Sequence, residues 1–419
     1  QSLGDMTLDL NQALHNQGGL VRSGAALTVN ANRVVNSATQ GADQGVEGQS
    51  VDITANDVIN HQGAMRANQR LELDAASRVD NRNGLLSSLD TLALETGELD
   101  NQGGTLIANQ QLDLTAARLI GDGRVLSLGD LALQLASDYT LNQSAELKAA
   151  GNLQFATTGT LTNRGKLQAG DTLDLDAGAI DNTAGGELSA TTTRLSAGQL
   201  TNRGLIDGVT TRIDATTLNN LGTGRIYGDQ LGIQATTLTT DVENGRAAVI
   251  AARERLDIGA RRLTNREQAL LFSAGDMAIG GRLDANDRAT GRATRVDNNS
   301  ATIEALGDLS ISAASLRNTN EHFETRLKLV EGGPRQGTFL KHYTWSDKRP
   351  ISEFSWGRGY DSYWHGYDRY LHLPTEQSLA SWLEYDLEIT EYVSVLTNSL
   401  PAEILAGGNL VIEGGLLSN

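Results

Sequence analysis

Apolar and polar residues alternate in short runs along most of this chain, and the runs recur. Leu71-Glu72-Leu73-Asp74-Ala75, Leu112-Asp113-Leu114-Thr115-Ala116 and Leu173-Asp174-Leu175-Asp176-Ala177 are three copies of one pattern. A period of two is that of a strand with one buried face. A shorter alternating stretch precedes each copy, as in Thr105-Leu106-Ile107-Ala108, and polar or Gly-containing turns separate the two. The stretches are too short, and the turns too frequent, for helices of ordinary length.

The runs are paced by an aliphatic-x-Asn triplet. It reads Leu14-His15-Asn16, Val34-Val35-Asn36, Val58-Ile59-Asn60, Val79-Asp80-Asn81 and Leu99-Asp100-Asn101, and it continues at Asn163, Asn182, Asn202, Asn220, Asn265, Asn298 and Asn318. Asn142 keeps the Asn with Thr140 in the aliphatic place, while Gly121 and Thr240 stand in the Asn slot of two further copies. Eleven of the fourteen intervals between these anchors are 18 to 21 residues long. A unit of that size, with three short strands, cannot bury its own apolar side, but it can when stacked on a copy of itself. The pattern therefore predicts an all-β fold, a right-handed parallel β-helix with one coil per ~20 residues. Some sixteen coils at ~4.8 Å each make a rod of roughly 75 Å. Leu, Val, Ile and Ala fill the interior, which as a narrow tube leaves no room for aromatics. Asn recurring at one position predicts an amide ladder along the rod.

Composition then divides the chain. Fourteen of the 18 aromatic residues lie between Phe323 and Tyr392, and all four prolines between Pro334 and Pro401. The repeat returns beyond them, because Ile303-Glu304-Ala305-Leu306-Gly307-Asp308-Leu309 aligns with Ile404-Leu405-Ala406-Gly407-Gly408-Asn409-Leu410. The expected organisation is a β-helix over 1–318, an aromatic- and Pro-rich insert over 319–402 and a resumed coil over 403–419. The alternating segments 323–329 and 383–389 make the insert a subdomain based on a β-hairpin, with those two segments as an antiparallel pair. A second interruption, residues 284–292, reads as a polar loop extruded from a turn.

Chemistry enters through the insert. Tyr343, Trp345, Trp356, Arg358, Tyr360, Tyr363, Trp364, Tyr367, Arg369 and Tyr370 crowd one stretch. Tyr, Trp and Arg dominate binding hot spots because they bring large area, few rotors and a polar tip. Some of them must form the insert's own core, and the rest are candidates for a contact surface. The spacing of Tyr360, Tyr363, Tyr367 and Tyr370 also suits a helix face, against which Trp364, Gly366 and Pro374 argue.

The remaining signals exclude more than they assign. With no cysteine there is no disulfide framework and no thiolate chemistry. A formal charge of -17 argues against nucleic acid. No acid–base carboxylate pair, nucleophile elbow or phosphate loop stands out, so the chain reads as non-enzymatic and needs no cofactor. Asp80 and Asp100, one coil apart, form a like-charge stack that attracts either a cation or Arg82. His365 and His372, near Asp361 and Asp368, suit a polar rim or core better than zinc. The first residues, Gln1 to Met6, lack the basic and apolar regions of an export signal, so any signal of a parent protein lies outside this chain.

The unit Leu99-Asp100-Asn101-Gln102-Gly103-Gly104-Thr105-Leu106-Ile107-Ala108, together with the runs Leu283 to Gly291, Asn298 to Ala305 and Asn318 to Phe323, resembles the repeats of filamentous haemagglutinin and of the contact-dependent inhibition exoproteins (CdiA). That resemblance implies a large monomeric protein exported by an outer-membrane two-partner transporter. It also implies a cell-surface filament whose distal part meets an outer-membrane receptor, protein or lipopolysaccharide, on a neighbouring bacterium. The insert matches no motif of that family, so the resemblance names no receptor. Two other readings are a purely structural spacer and a carbohydrate-binding or polysaccharide-degrading β-helix.

Overall fold

The computed structural model describes residues 1–341, 346–361, 366–372, 378–379 and 383–418, and for 355–361, 366–372 and 378–379 it describes the backbone alone. It divides the chain into two compact units, Gln1–Glu321 with Leu400–Asn419, and His322–Ser399.

The first unit is a right-handed parallel β-helix of about sixteen turns spaced roughly 20 residues apart. A typical coil has a short strand, such as Thr105–Ala108, and a longer one, such as Gln111–Ile120. The longer strand turns a corner without a loop, where the register slips between Ala75 and Arg78 or between Thr157 and Thr160. Two corners are therefore turns and the third is an irregularity within a strand. In three coils strands merge into runs of 17 to 19 residues, Ala64–Asp80, Arg225–Glu243 and Val249–Arg266.

Parallel register aligns equivalent residues into columns. One inward column runs Leu71, Leu92, Leu112, Leu131, Leu153, Leu173. All six are at most 1% exposed. Thr193 and Thr211 continue it, and their hydroxyls donate to the Asp207 and Tyr227 carbonyls at 2.7 and 2.8 Å, so neither is a buried polar group left unpaired.

The interior does admit aromatics, contrary to the sequence expectation. Phe155 is 0% and Tyr139 6% exposed, with ring centroids 6.0 Å apart. Tyr139 pairs with Leu161 and Leu141 with Asn163. The triplet of this coil is thus Tyr139-Thr140-Leu141, and Asn142 lies one residue past the Asn slot. Alternation decides this, because residues 139 and 141 face inward in register with their neighbours.

The polar loop is also different from its expectation. Arg282–Leu283 and Ala289–Thr290 form a small antiparallel hairpin that folds back onto the coil face. Beyond the insert the helix resumes: Glu403–Ala406 stacks on Thr302–Ala305 and Leu410–Ser418 on Leu309–Thr319.

The second unit is antiparallel. Glu324–Leu329 pairs with Tyr392–Asn398, and Arg335–Lys341 with Leu383–Ile389. The expected pairing of 323–329 with 383–389 is therefore replaced by two successive pairings. A backbone reversal at Gly332 and Gly333, both with positive φ, separates them. Arg349–Pro350 adds an edge to the second pair, and Lys348 Nζ sits 4.4 Å from the Tyr385 ring centroid. Ser355–Asp361, Gly366–His372 and Ser378–Leu379 form a further three-stranded sheet. Tyr360, Tyr367 and Tyr370 are thus strand residues, not members of a helix. Among the described residues no helix is long and apolar enough to cross a membrane.

Truncating the more deeply buried of the two rings tests the packing of the core. Phe155→Ala is expected to cost about 3–5 kcal/mol of local stability. Faster amide exchange across residues 131–141 and 153–163, with distant coils unchanged, is the measurement that checks it.

Candidate functional site

Two sets of residues carry the polar character of the chain: the asparagines inside the rod and the aromatic–arginine stretch of the insert. The asparagines lie in register, 16 with 36, 163 with 182, 182 with 202 and 202 with 220. Each side-chain amide donates to the oxygen of the next. Asn16, Asn36, Asn60, Asn81 and Asn101 are linked at 2.7–2.8 Å. Asn163, Asn182, Asn202 and Asn220 are linked at 2.7–2.9 Å, and Asn265, Asn298 and Asn318 at 2.8–2.9 Å.

The second amide hydrogen goes to a backbone carbonyl of a following coil, as from Asn182 to Leu205 at 3.1 Å. Inside each run the side chain therefore has its oxygen accepting and both hydrogens donated, the condition under which a buried polar chain stabilises rather than costs. The turn is shaped around this. A Cβ at Gly84 would collide with the Asn60 carbonyl oxygen and the Asn81 side chain, and one at Gly104 with the equivalent atoms of Asn81 and Asn101.

The ladder has two breaks. Gly121 and Leu141 interrupt it between Asn101 and Asn163. Thr240 interrupts it between Asn220 and Asn265, with which it stands in register. Among the described residues the buried Thr240 hydroxyl and Asn265 Oδ1 find no hydrogen-bond partner.

The acidic stack is occupied by an arginine. Asp80 is 3% exposed and in register with Asp100. Arg82 donates to both oxygens of Asp80, Nε at 2.9 Å and Nη2 at 2.6 Å, and lies 3.6 Å from Asp100. Burial pushes the Asp80 carboxyl up, but the Arg82 side chain and backbone N–H outweigh it and hold it below its ordinary value. Among the described residues no group of three or more acidic or histidine side chains is placed to hold a metal.

In the insert, Trp356, Arg358 and Tyr360 alternate along one strand directly opposite Leu371, Arg369 and Tyr367, and Tyr370 stands opposite Gly357. Backbone alone is described there. Asp361, Asp368 and His372 belong to the same strands, while Tyr343, Trp345, Tyr363, Trp364 and His365 lie outside the described residues.

The stacked coils and their asparagines have a counterpart among known proteins. The model of the haemagglutinin repeat family matches residues 5–75, 50–145, 144–223 and 228–333. The chain belongs to the haemagglutinin-repeat family, that of filamentous haemagglutinin and CdiA. It is 28% identical to a protein of Dickeya dadantii (strain 3937) named deoxyribonuclease CdiA, over 77% of this chain and 10% of that one. It is 28% identical to toxin CdiA of Escherichia coli over 73% of this chain and 10% of that protein, and to toxin CdiA of Yersinia pestis over 44% and 5%. The chain thus spans about a tenth or less of the length of these relatives. No solved structure matches it.

The haemagglutinin repeats coincide with the rod, and the last matched span ends at residue 333, within the antiparallel unit. Two tests follow from the polar interior of these repeats. Thr240→Asn would give Asn220 an acceptor and Asn265 a donor, so it is expected to stabilise the surrounding coils by about 1–2 kcal/mol. Chemical denaturation and amide exchange of residues 217–221 and 262–266 would measure it. For Asp80 the folded-state pKa is depressed, so its stabilisation is present above the unfolded value of about 4 and is lost as pH falls through the lower folded value. The gap in melting temperature between wild type and Asp80→Asn should be widest near pH 7 and close in strong acid.

Proposed function

We propose that this chain is a rod segment of a large secreted surface filament of the contact-dependent inhibition type, and that its insert contributes to binding a receptor on a neighbouring bacterium. The observation that carries the first half is the match of haemagglutinin repeats along a continuous β-helix. Relatives named toxin and deoxyribonuclease CdiA support it. In such a protein the rod supplies reach, and any toxic activity belongs to a part other than the repeats. Export through a two-partner outer-membrane transporter, and a monomeric filament at the cell surface, belong to the same reading. The repeats themselves do no catalysis in it.

The second half rests on the insert. Its Trp, Tyr and Arg content is that of a binding hot spot. The backbone register collects Trp356, Arg358, Tyr360, Tyr367 and Arg369 into one block of two adjacent strands. Like charges directly opposite each other are unfavourable between strands. The pairing of Arg358 with Arg369 therefore favours a partner that brings an anionic group, either an acidic protein loop or a lipopolysaccharide phosphate.

The test is attachment of the purified chain to whole bacteria, with outer-membrane mutants as recipients. Trp356→Ala with Trp364→Ala and Tyr367→Ala is expected to reduce attachment at least tenfold while the β-sheet circular dichroism and melting of the rod stay unchanged. Full attachment by that variant, or by a chain lacking 331–380, would show a spacer with recognition elsewhere.

A further inference from the structure

A solenoid in which each coil touches only its neighbours can open at any coil boundary. The hairpin 282–290 breaks that rule. It springs from the coil that contains Met277 and Ile279 and lies back across the three coils that precede it. On the first, Asp257 is 3% exposed, and it accepts from the Ala289 backbone N–H at 2.9 Å and from Arg288 Nη1 at 3.2 Å. Arg255 holds the same carboxylate from the rod side at 2.6 Å. On the second, Gln234 accepts from the Leu283 N–H at 2.7 Å and donates to the Gly259 carbonyl at 3.0 Å, tying the hairpin to two coils at once. On the third, Arg212 pairs with Asp287 of the hairpin and with Asp214 of its own strand.

The rod is shaped to receive this backbone. Arg212, Gly232 and Asp257 form one outward column, and Asp214, Gln234 and Gly259 the next. Glycine interrupts each where the hairpin passes. A Cβ at Gly259 would meet the Arg282 and Leu283 backbone, and one at Gly232 would be in contact with the Leu283 and Asp287 side chains. The hairpin is itself a closed unit, since Asp284 Oδ1 accepts from the Asn286 and Arg288 N–H groups at 2.8 and 3.0 Å.

We infer that this hairpin is a strap that couples coils beyond nearest neighbours and makes the segment from about residue 210 to 299 one cooperative block. Strand Arg295–Asn299 closes that block, and Leu309–Thr319, after which the chain leaves the rod, stacks on it. The strap thus keeps the rod, up to the coil where the chain leaves it, from opening coil by coil. A filament pulled at its far end would otherwise yield at its weakest boundary, and the ladder gap at Thr240 lies inside the strapped block.

Amide hydrogen exchange on the full chain tests this. Gln234→Ala with Asp287→Ala cuts the two outer attachments. Ala289→Pro removes the backbone donor to Asp257 and changes only the hairpin. Each variant is expected to speed exchange at least tenfold, and together, in residues 217–221 and 237–241, which lie in the strapped coils but away from the strap. Arg124→Ala, which cuts an ordinary pair with Glu146 of the adjacent coil at 2.7 Å, should affect those two coils alone. Faster exchange confined to residues at the strap contacts, or none at all, would overturn the inference. If the double variant fails to fold, the Ala289→Pro result decides.

Discussion

The structure depends on one requirement: each coil must meet the next in parallel register, with no side chain out of column. At the spacing of paired strands, an inward residue has the same neighbours above and below as every other member of its column. The Leu column from residue 71 to 173 meets this with shape alone. The asparagine column meets it with directed bonds, and that is the stricter condition. A Leu can tolerate a Thr beside it when the hydroxyl finds a carbonyl, as at Thr193. An amide needs a partner of matching reach and geometry, and at Thr240 the shorter hydroxyl and the Asn265 oxygen are both left unpaired.

That requirement explains where the rod departs from its own repeat. The ladder stops at Gly121 and Leu141, and beside this gap stand the two buried aromatic rings, Tyr139 and Phe155. Both stand in aliphatic columns, Tyr139 in register with Leu161 and Phe155 with Leu133 and Leu175. The extra residues before Asn298 do not disturb the column either, because they leave the wall as a hairpin and Asn265 still bonds Asn298 at 2.9 Å. The much longer excursion after Glu321 is bridged in the same way: Asn298 donates to the Glu403 carbonyl at 2.9 Å, across 105 residues of sequence. Insertions are tolerated outside the wall because the wall is held by its own columns.

The rod and the antiparallel unit are therefore built by different rules in this haemagglutinin-repeat protein. The rod is built of interchangeable coils whose polar surface varies from one to the next, with arginine placed where carboxylates stack, as Arg82 is between Asp80 and Asp100. The antiparallel unit, freed from the columns, holds fourteen of the eighteen aromatic residues and all but one of the prolines.

The β-helix, its period and the asparagine column were legible in the sequence, because alternation of two and a fixed anchor depend on local spacing. The aromatic- and arginine-rich stretch was legible by composition, and its register, with Arg358 against Arg369, was not. Tertiary structure alone decided three things. It placed Leu141 rather than Asn142 in the ladder slot, because a strand's inward parity outranks residue type. It paired 324–329 with 392–398, because the reversal at Gly332 and Gly333 lets an intervening strand take the nearer partner. It laid 282–290 across earlier coils, because the glycines and carboxylates that receive the hairpin are brought beside it only when the coils stack.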